Sequence, residues 1–120
     1  DVVSVHAPLN DYTAGLLDYE KIRLMKRTSL LINTSRGGII READLVRALD
    51  EGCLAGVGLD VFEREPVAAD NPLLSVQNPE KLVLLPHIAW SSQEARTLLV
   101  DRIAENIQGF LREASTNTHA

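Results

Sequence analysis

Four polar side chains in this sequence of 120 residues stand at or just after the end of a short apolar run, and they are of types that bind anions or move protons. They are His6, Arg36, Asp60 and His87. The planar guanidinium of Arg36 can hold a carboxylate through two hydrogen bonds, and the two glycines after it let the backbone approach a ligand closely. His87 can give or take a proton near neutral pH. A carboxylate clamp beside a proton donor suits the reduction of a 2-keto acid.

Each of these side chains also has an ordinary structural explanation. His6 could pack or cap a neighbouring element, Arg36 could belong to a simple turn, and Asp60 could accept hydrogen bonds from loop amides. His87 could be a packing residue whose ring is satisfied by its neighbours. Four such groups at the same edge of one fold favour a site over four unrelated coincidences.

The chain between Asp60 and His87 offers a partner for a histidine that donates a proton. Its segment Phe-Glu-Arg-Glu-Pro carries two carboxylates, Glu63 and Glu65. A carboxylate that is hydrogen-bonded to a histidine stabilises the protonated ring. From the residue types alone, either glutamate could do so.

Four short apolar runs with β-branched residues predict strands that are buried on both faces. They are Val2–Val5, Leu30–Ile32, Val57–Val61 and Leu82–Leu85. Helical signals lie between them, because Asp18 can cap a helix through Tyr-Glu-Lys-Ile-Arg-Leu-Met and because Glu42–Glu51 has one apolar side and ends before Gly52. Strands that alternate with helices form parallel sheets with right-handed crossovers. The sequence therefore predicts an α/β fold, half of a doubly wound Rossmann-like sheet, with the four polar strand ends on one rim where ligands bind.

The C-terminal part predicts a loop, a long helix and a tail. Residues 63–81 contain three prolines and read as a long loop. The last helix is expected from about Ser92 to Glu113, with Ser91 as its N-cap and Glu94 three residues later. Residues 114–120 form a polar tail without periodicity, in which His119 is most simply a solvated side chain.

The overall composition favours a globular protein with a small-molecule partner. A net charge of −5 argues against general binding to nucleic acid or to anionic membranes. The lone Cys53 cannot form an internal disulfide, and no apolar stretch approaches the roughly 20 residues that span a bilayer, so a cytoplasmic location is expected. No metal site is predicted. The sequence starts within an apolar strand pattern and without an initiator methionine, so we expect it to be a piece of a longer parent protein.

Four stretches of the chain resemble a known family in both order and spacing. They read HAPLNDYTAGLL, LLINTSRGGIIREADLVRAL, GCLAGVGLDVFEREP and LVLLPHIAWSSQEA. Together they resemble the second half of the nucleotide-binding domain of the D-isomer-specific 2-hydroxyacid dehydrogenases. The resemblance extends from Asp1 to about Leu111, and it implies that residues 1–113 are the C-terminal part of a dinucleotide-binding domain.

The resemblance implies a role for individual residues. The family's catalytic arginine, glutamate and histidine fall on Arg36, on Glu65 rather than Glu63, and on His87. Residues implied to line the cofactor, partly through backbone atoms, are His6, Ala7, Pro8, Thr34, Ser35, Arg36, Asp60, His87 and Ala89, with Asp60 facing the nicotinamide carboxamide. Trp90 is implied to lie on the substrate side, although it could instead pack against the last helix.

The resemblance also implies an NAD- or NADP-dependent enzyme, with a parent protein that forms a homodimer. An aromatic residue after Pro-His-Ile-Ala looks more like the glycerate dehydrogenase and hydroxypyruvate reductase branch of the family than like the phosphoglycerate branch. A tryptophan at this position favours a small 2-keto acid such as hydroxypyruvate or glyoxylate. The chain has no Gly-x-Gly-x-x-Gly turn and no acidic residue after a second strand to bind the ribose, because the resemblance covers only the second half of the domain. The choice between NAD and NADP is expected to depend on the first half. Two other readings remain open: a dehydrogenase-like corepressor-type binding module, and a structural piece that is inactive when isolated.

Overall fold

The computed structural model describes the backbone of residues 1–116 and the side chains of residues 1–113. The chain divides into two compact units, Asp1–Ile88 and Ala89–Ala120. The first unit contains the sheet and two helices, and the second contains one long helix. Among the described residues, no helix combines the length and the apolar character that crossing a membrane requires.

The first unit is built on a sheet of four parallel strands in the order β1-β2-β3-β4. The strands are β1 (Val2–Val5), β2 (Leu30–Asn33), β3 (Gly56–Leu59) and β4 (Leu82–Leu84). The connecting helices are α1 (Tyr19–Ile22) and α2 (Glu42–Asp50), with short 3₁₀ turns at Gly37–Ile39, Pro72–Ser75 and Pro79–Lys81. The predicted parallel α/β architecture is confirmed, and the predicted loop 63–81 contains two of these turns.

The start of α1 and the end of α2 follow their sequence signals, whereas α1 is shorter than predicted. Asp18 is the N-cap of α1, and its side chain accepts a hydrogen bond of 3.0 Å from the backbone N–H of Lys21. The α-helix ends at Ile22, earlier than the predicted Met25, because the next turns form tighter bonds between residues three apart. Gly52 ends α2 in the left-handed region at φ +71°, as expected of a residue without a side chain.

The core lies on one face of the sheet. Leu31 of β2 is fully buried in a core cluster that includes Ile22 of α1 and Leu45 of α2, whereas its neighbour Leu30 is 41% exposed and Val83 of β4 is 58% exposed. The prediction that all four strands are buried on both faces is therefore wrong for this unit, because α1 and α2 both pack on the face of Leu31. The opposite face forms an apolar groove of about 470 Å³ floored by Gly56 and Gly58.

The second unit consists mainly of α3 (Gln93–Thr116). Its cap is Ser92 rather than the predicted Ser91, since the Ser92 hydroxyl lies 3.2 Å from the N–H of Ala95 and the Ser92 carbonyl accepts from Arg96. The helix continues three residues past the predicted Glu113, where no glycine or proline interrupts it. The rest of the predicted tail, including His119, lies outside the described residues.

Candidate active site

The four polar strand ends predicted from the sequence lie along one rim of the sheet. Because all three strand pairs are parallel and in continuous register, the carboxyl ends of the strands meet at the same edge. His6 follows β1, Arg36 follows β2, Asp60 follows β3 and His87 follows β4. In open parallel sheets this is the edge at which ligands bind.

His87 and Glu65 form a hydrogen-bonded pair at this rim. The Nδ1 atom of His87 lies 2.8 Å from Oε2 of Glu65, and the two side chains are 40% and 37% exposed. The other carboxylate oxygen, Oε1, accepts a hydrogen bond of 3.0 Å from the backbone N–H of Phe62. The hydrogen bond from His87, then that from Phe62 and the charge of Arg36, hold the pKa of Glu65 below its ordinary value. Glu65 is therefore an ionised partner that fixes the orientation of the His87 ring.

The backbone at His87 reverses sharply and is held by a buried carboxylate. His87 has a left-handed φ of +56°, and its N–H donates to the carbonyl of Leu85 at 3.1 Å. The next N–H, that of Ile88, donates to Oδ1 of Asp60 at 2.8 Å. Asp60 is only 2% exposed. Asp60 thus accepts a hydrogen bond from a loop amide, which is the structural role that the sequence offered for it. This bond fixes the backbone directly after His87.

Asn33 shapes the turn that presents Arg36. Its side-chain amide donates to the carbonyl of Arg36 at 2.9 Å, while its Oδ1 accepts from both the N–H and the hydroxyl of Ser35. The Arg36 guanidinium donates to the Ser35 carbonyl at 2.7 Å, and the side chain is exposed. A buried asparagine thus sets the turn, and the charged group extends to the accessible surface.

Gly37 joins the Arg36 turn to the loop that carries Glu65. A Cβ atom at Gly37 would lie 1.9 Å from the carbonyl carbon of Phe62, so the two backbones pack directly against each other. The sequence suggested that these glycines allow the approach of a ligand, but at Gly37 the close neighbour is the chain itself. Phe62 in turn donates the N–H that binds Glu65.

The two glutamates of Phe-Glu-Arg-Glu-Pro have different partners. Glu65 meets His87, whereas Oε1 of Glu63 accepts the backbone N–H of Glu42 at 2.7 Å. The structure thus brings together the pair that the family resemblance implied. That Arg36, Glu65 and His87 are catalytic stays a prediction.

For the other predicted site residues the structure gives a location but no contact that indicates a role. His6 is exposed and its Nε2 lies 2.8 Å from the Ser4 hydroxyl, so it neither packs in the core nor caps a helix. Ala7, Pro8 and Thr34 lie next to the rim in the sequence, and Ala89 and Trp90 belong to the second unit. The implied contacts of all these residues with a cofactor or a substrate stay predictions.

Several residues that support the site were not assigned a role from the sequence. Asn33 was not singled out, Gly37 was noted only as a glycine that lets a ligand approach, and Phe62 only as the first residue of the segment Phe-Glu-Arg-Glu-Pro. An asparagine directly after a strand and before Ser-Arg is a typical signal of a side-chain turn, and it could have identified Asn33. The contact of Gly37 with Phe62 has no local signal, because the two residues are 25 positions apart in the sequence.

In open parallel sheets a dinucleotide binds beyond the carboxyl ends of the strands. Exposed polar side chains stand at two of these ends, His6 and Thr34, and their contact with a cofactor stays a prediction. The sequence contains no Gly-x-Gly-x-x-Gly turn, which would hold the pyrophosphate at a helix N-terminus. Within residues 1–116, no three His, Cys, Asp or Glu side chains are grouped so that they could hold a metal ion.

Comparisons with known proteins agree with this geometry. The family described as D-isomer specific 2-hydroxyacid dehydrogenase, NAD binding domain, matches residues 1–89. The chain is 46% identical over 112 residues to a glyoxylate reductase of Korarchaeum cryptofilum, covering 93% of this chain and 33% of that protein. It is 41% identical over 117 residues to a hydroxypyruvate reductase of Blautia hydrogenotrophica, covering 98% and 35%.

A solved structure of the same enzyme class as these relatives is also similar to this chain. An NADPH-dependent glyoxylate/hydroxypyruvate reductase of Sinorhizobium meliloti, in complex with NADP and malonate, superposes with a TM-score of 0.75 at 34% identity. The match covers 92% of this chain and 34% of that one. The chain spans about a third of the length of the curated relatives it matches. It belongs to the D-isomer-specific 2-hydroxyacid dehydrogenase family, and its residues 1–89 are part of the NAD-binding domain of that family.

Proposed function

We propose that this chain is part of an NAD(P)-dependent enzyme that reduces a small 2-keto acid to the D-2-hydroxy acid. The observation that carries the proposal is the 2.8 Å contact between His87 and Glu65 at the strand-end rim. Arg36 stands at the end of the neighbouring turn, and its charge contributes to the lowered pKa of Glu65. We infer that an anion clamp and a carboxylate-supported histidine serve one substrate at this rim.

Each of the three side chains has a distinct task in this proposal. Arg36 binds the substrate carboxylate and polarises the adjacent carbonyl. His87 donates a proton from Nε2 to the oxygen of the carbonyl as it becomes an alcohol, because Nδ1 faces Glu65. Glu65 holds the ring in this orientation and offsets the positive charge of the protonated histidine. In the reverse direction, His87 accepts the same proton.

A bound nicotinamide cofactor would supply the hydride that reduces C2 of the substrate. The residues proposed to hold its nicotinamide end are those that the family resemblance implies. In the first unit they are His6, Ala7, Pro8, Thr34, Ser35, Arg36, Asp60 and His87, and Ala89 of the second unit is proposed from the resemblance alone. Asp60 is proposed to face the carboxamide, in addition to fixing the N–H of Ile88.

The substrate is proposed to be small, of the hydroxypyruvate or glyoxylate type. The relatives named as glyoxylate reductase and hydroxypyruvate reductase support this choice, and the family resemblance around Trp90 favours it. Steady-state rates of the full-length parent protein with glyoxylate, hydroxypyruvate and pyruvate would test it. A clear preference for a bulky branched 2-keto acid would contradict the proposal. A homodimeric parent and a cytoplasmic location remain predictions.

The role of His87 is tested by His87→Ala in the full-length protein. Loss of a positioned acid should lower kcat by about 100-fold to 10,000-fold, with a much smaller change in cofactor affinity. Tyr12→Phe is a suitable control, since that side chain is 91% exposed. Turnover of His87→Ala close to that of the control would refute the assignment.

A further inference from the structure

We propose that Glu42 is a positioning residue, whose buried carboxylate fixes both ends of the loop that carries Glu65. This inference rests on the proposed function, because it concerns the alignment of Glu65 with His87. Glu42 is the first residue of α2, and among the described residues its hydrogen bonds go to Glu63 and Asn71 rather than to His87 or Glu65. No role beyond that of a helix residue was predicted for it.

The start of the loop is held by a reciprocal pair of backbone contacts. The N–H of Glu42 donates to Oε1 of Glu63 at 2.7 Å, and the N–H of Glu63 donates to Oε1 of Glu42 at 2.7 Å. Both are short bonds to ionisable carboxyl groups, which are stronger than bonds between neutral groups. The Glu63 carboxylate also lies at the N-terminus of α2, where a negative charge is favoured.

The end of the loop is held by the second oxygen of the same carboxylate. Oε2 of Glu42 accepts from the side-chain amide of Asn71 at 2.8 Å. Asn71 in turn accepts the N–H of Leu73 at 2.9 Å, which caps the turn Pro72–Ser75. Glu42 and Asn71 are 5% and 9% exposed, so these bonds are shielded from water.

Between these two anchors the chain is on the surface. Residues 64–66 are exposed, and Glu65 lies only two positions after Glu63. The carboxylate of Glu65 also depends on the N–H of Phe62, the residue directly before the first anchor. A shift of Glu63 would therefore move both the backbone of Glu65 and one of the donors that orient it.

The chemistry of the anchor suggests a specific pair of variants. In Glu42→Gln, one carboxylate oxygen becomes an NH₂ group, which would face the NH₂ group of Asn71 and lose that hydrogen bond. In the double variant Glu42→Gln/Asn71→Asp, the new amide faces a carboxylate, so a donor and an acceptor are paired again. The second carboxylate oxygen can still accept the N–H of Leu73.

The experiment uses the full-length parent protein and measures kcat, KM and the pH dependence of hydroxypyruvate reduction. A misplacement of about 1 Å can cost about 100-fold in rate, so we expect Glu42→Gln to lower kcat by about 10-fold to 100-fold. The KM for the cofactor should change little. The double variant should recover most of kcat.

The pH profile separates positioning from a loss of folded protein. The pKa of Glu65 is lowered first by His87 and then by Phe62, with Arg36 contributing. If Glu65 moves away from these groups, its pKa returns towards its ordinary value. The acid limb of the kcat profile should then shift to higher pH in Glu42→Gln, whereas a lower yield of folded enzyme would leave the limb in place.

Two further variants complete the test. Asp44→Asn removes another carboxylate from the first turn of α2, and no hydrogen bond joins Asp44 to the loop among the described residues, so it serves as the matched control. Asn71→Ala removes only the second anchor, and it should shift kcat and the acid limb in the same direction if Glu42→Gln fails to fold. In hydrogen–deuterium exchange, peptides covering residues 62–72 should exchange faster in the two anchor variants, Glu42→Gln and Asn71→Ala, than in Asp44→Asn.

The outcomes distinguish this inference from the proposed function. If His87→Ala abolishes turnover but both anchor variants keep the kcat and the acid limb of Asp44→Asn, Glu42 is not a positioning residue. If His87→Ala leaves turnover intact, the proposed function itself is wrong. An unrescued double variant with unchanged exchange in residues 62–72 would also overturn the inference.

Discussion

The substitution Gly37→Ala tests whether the Arg36 turn and the Glu65 loop are held together by direct backbone packing. The added Cβ atom would lie 1.9 Å from the carbonyl carbon, 2.0 Å from the oxygen and 2.5 Å from the Cα of Phe62. Ordinary van der Waals contact begins at 3.4 Å. The backbones of Gly37 and Phe62 must therefore move apart by about 1.5 Å, the difference between 3.4 Å and 1.9 Å. No side-chain rotation relieves the clash, because all three neighbours are main-chain atoms.

This displacement acts on stability and on the site together. Overpacking of this kind costs about 1–3 kcal/mol of folding free energy. Because Phe62 donates its N–H to Glu65, a shift of Phe62 also disturbs the partner of His87. Misplacement on this scale costs about 100-fold in rate, so we expect a loss of kcat of that order in the full-length enzyme, per mole of folded protein.

The neighbouring glycine provides a matched control. A Cβ atom at Gly38 would meet only the side-chain carbons of Leu9, at 3.3 and 3.5 Å, and these can move aside. Thermal unfolding and steady-state reduction of hydroxypyruvate by Gly37→Ala and Gly38→Ala should therefore differ clearly. If Gly37→Ala retains the stability and the turnover of Gly38→Ala within a few fold, the packing argument is refuted.

Two other predictions concern the charge of Glu65 and the cofactor. Because the pKa of Glu65 is lowered in the folded protein, its contribution to stability is present above the ordinary carboxyl range and is lost as the pH falls through its folded value. The unfolding free energies of the wild type and of Glu65→Gln should accordingly converge in acid, and a constant difference at all pH values would contradict this. The isolated 120 residues should show little or no saturable binding of NADH by fluorescence titration, since they contain no glycine-rich phosphate turn, and tight binding would refute this expectation.

The arrangement of the strands and of the rim was predictable because it depends on local patterns. Short apolar runs, separated by helical periodicity and stop signals such as Gly52, are sufficient to predict a parallel sheet. The polar residues at the strand ends then fall on one edge by topology alone. The burial of both sheet faces was not correctly predicted, because an apolar run such as Leu30–Ile32 does not show which elements cover each face.

The supporting contacts were not predictable because they join distant parts of the chain. Glu42 and Asn71 are 29 positions apart, and periodicity describes Glu42 only as a residue at the start of a helix. Glu63 and Glu65 are the same residue type two positions apart, so composition cannot say which of them meets His87. Ser91 and Ser92 posed the same difficulty at α3, where the capping serine proved to be the second of the pair.

One short segment connects the two halves of the proposed chemistry. Arg36, Gly37 and Glu42 lie within seven consecutive residues that include a 3₁₀ turn and the start of α2. Gly37 touches the backbone of Phe62, just before the loop, and Glu42 binds both ends of the loop. The segment that carries Arg36, the proposed carboxylate clamp, therefore also contacts the loop whose Glu65 bonds to His87. Because both contacts act through the same loop, we expect changes at Gly37 or Glu42 to alter the position of the proposed proton donor relative to the clamp, even though both exposed side chains are unchanged.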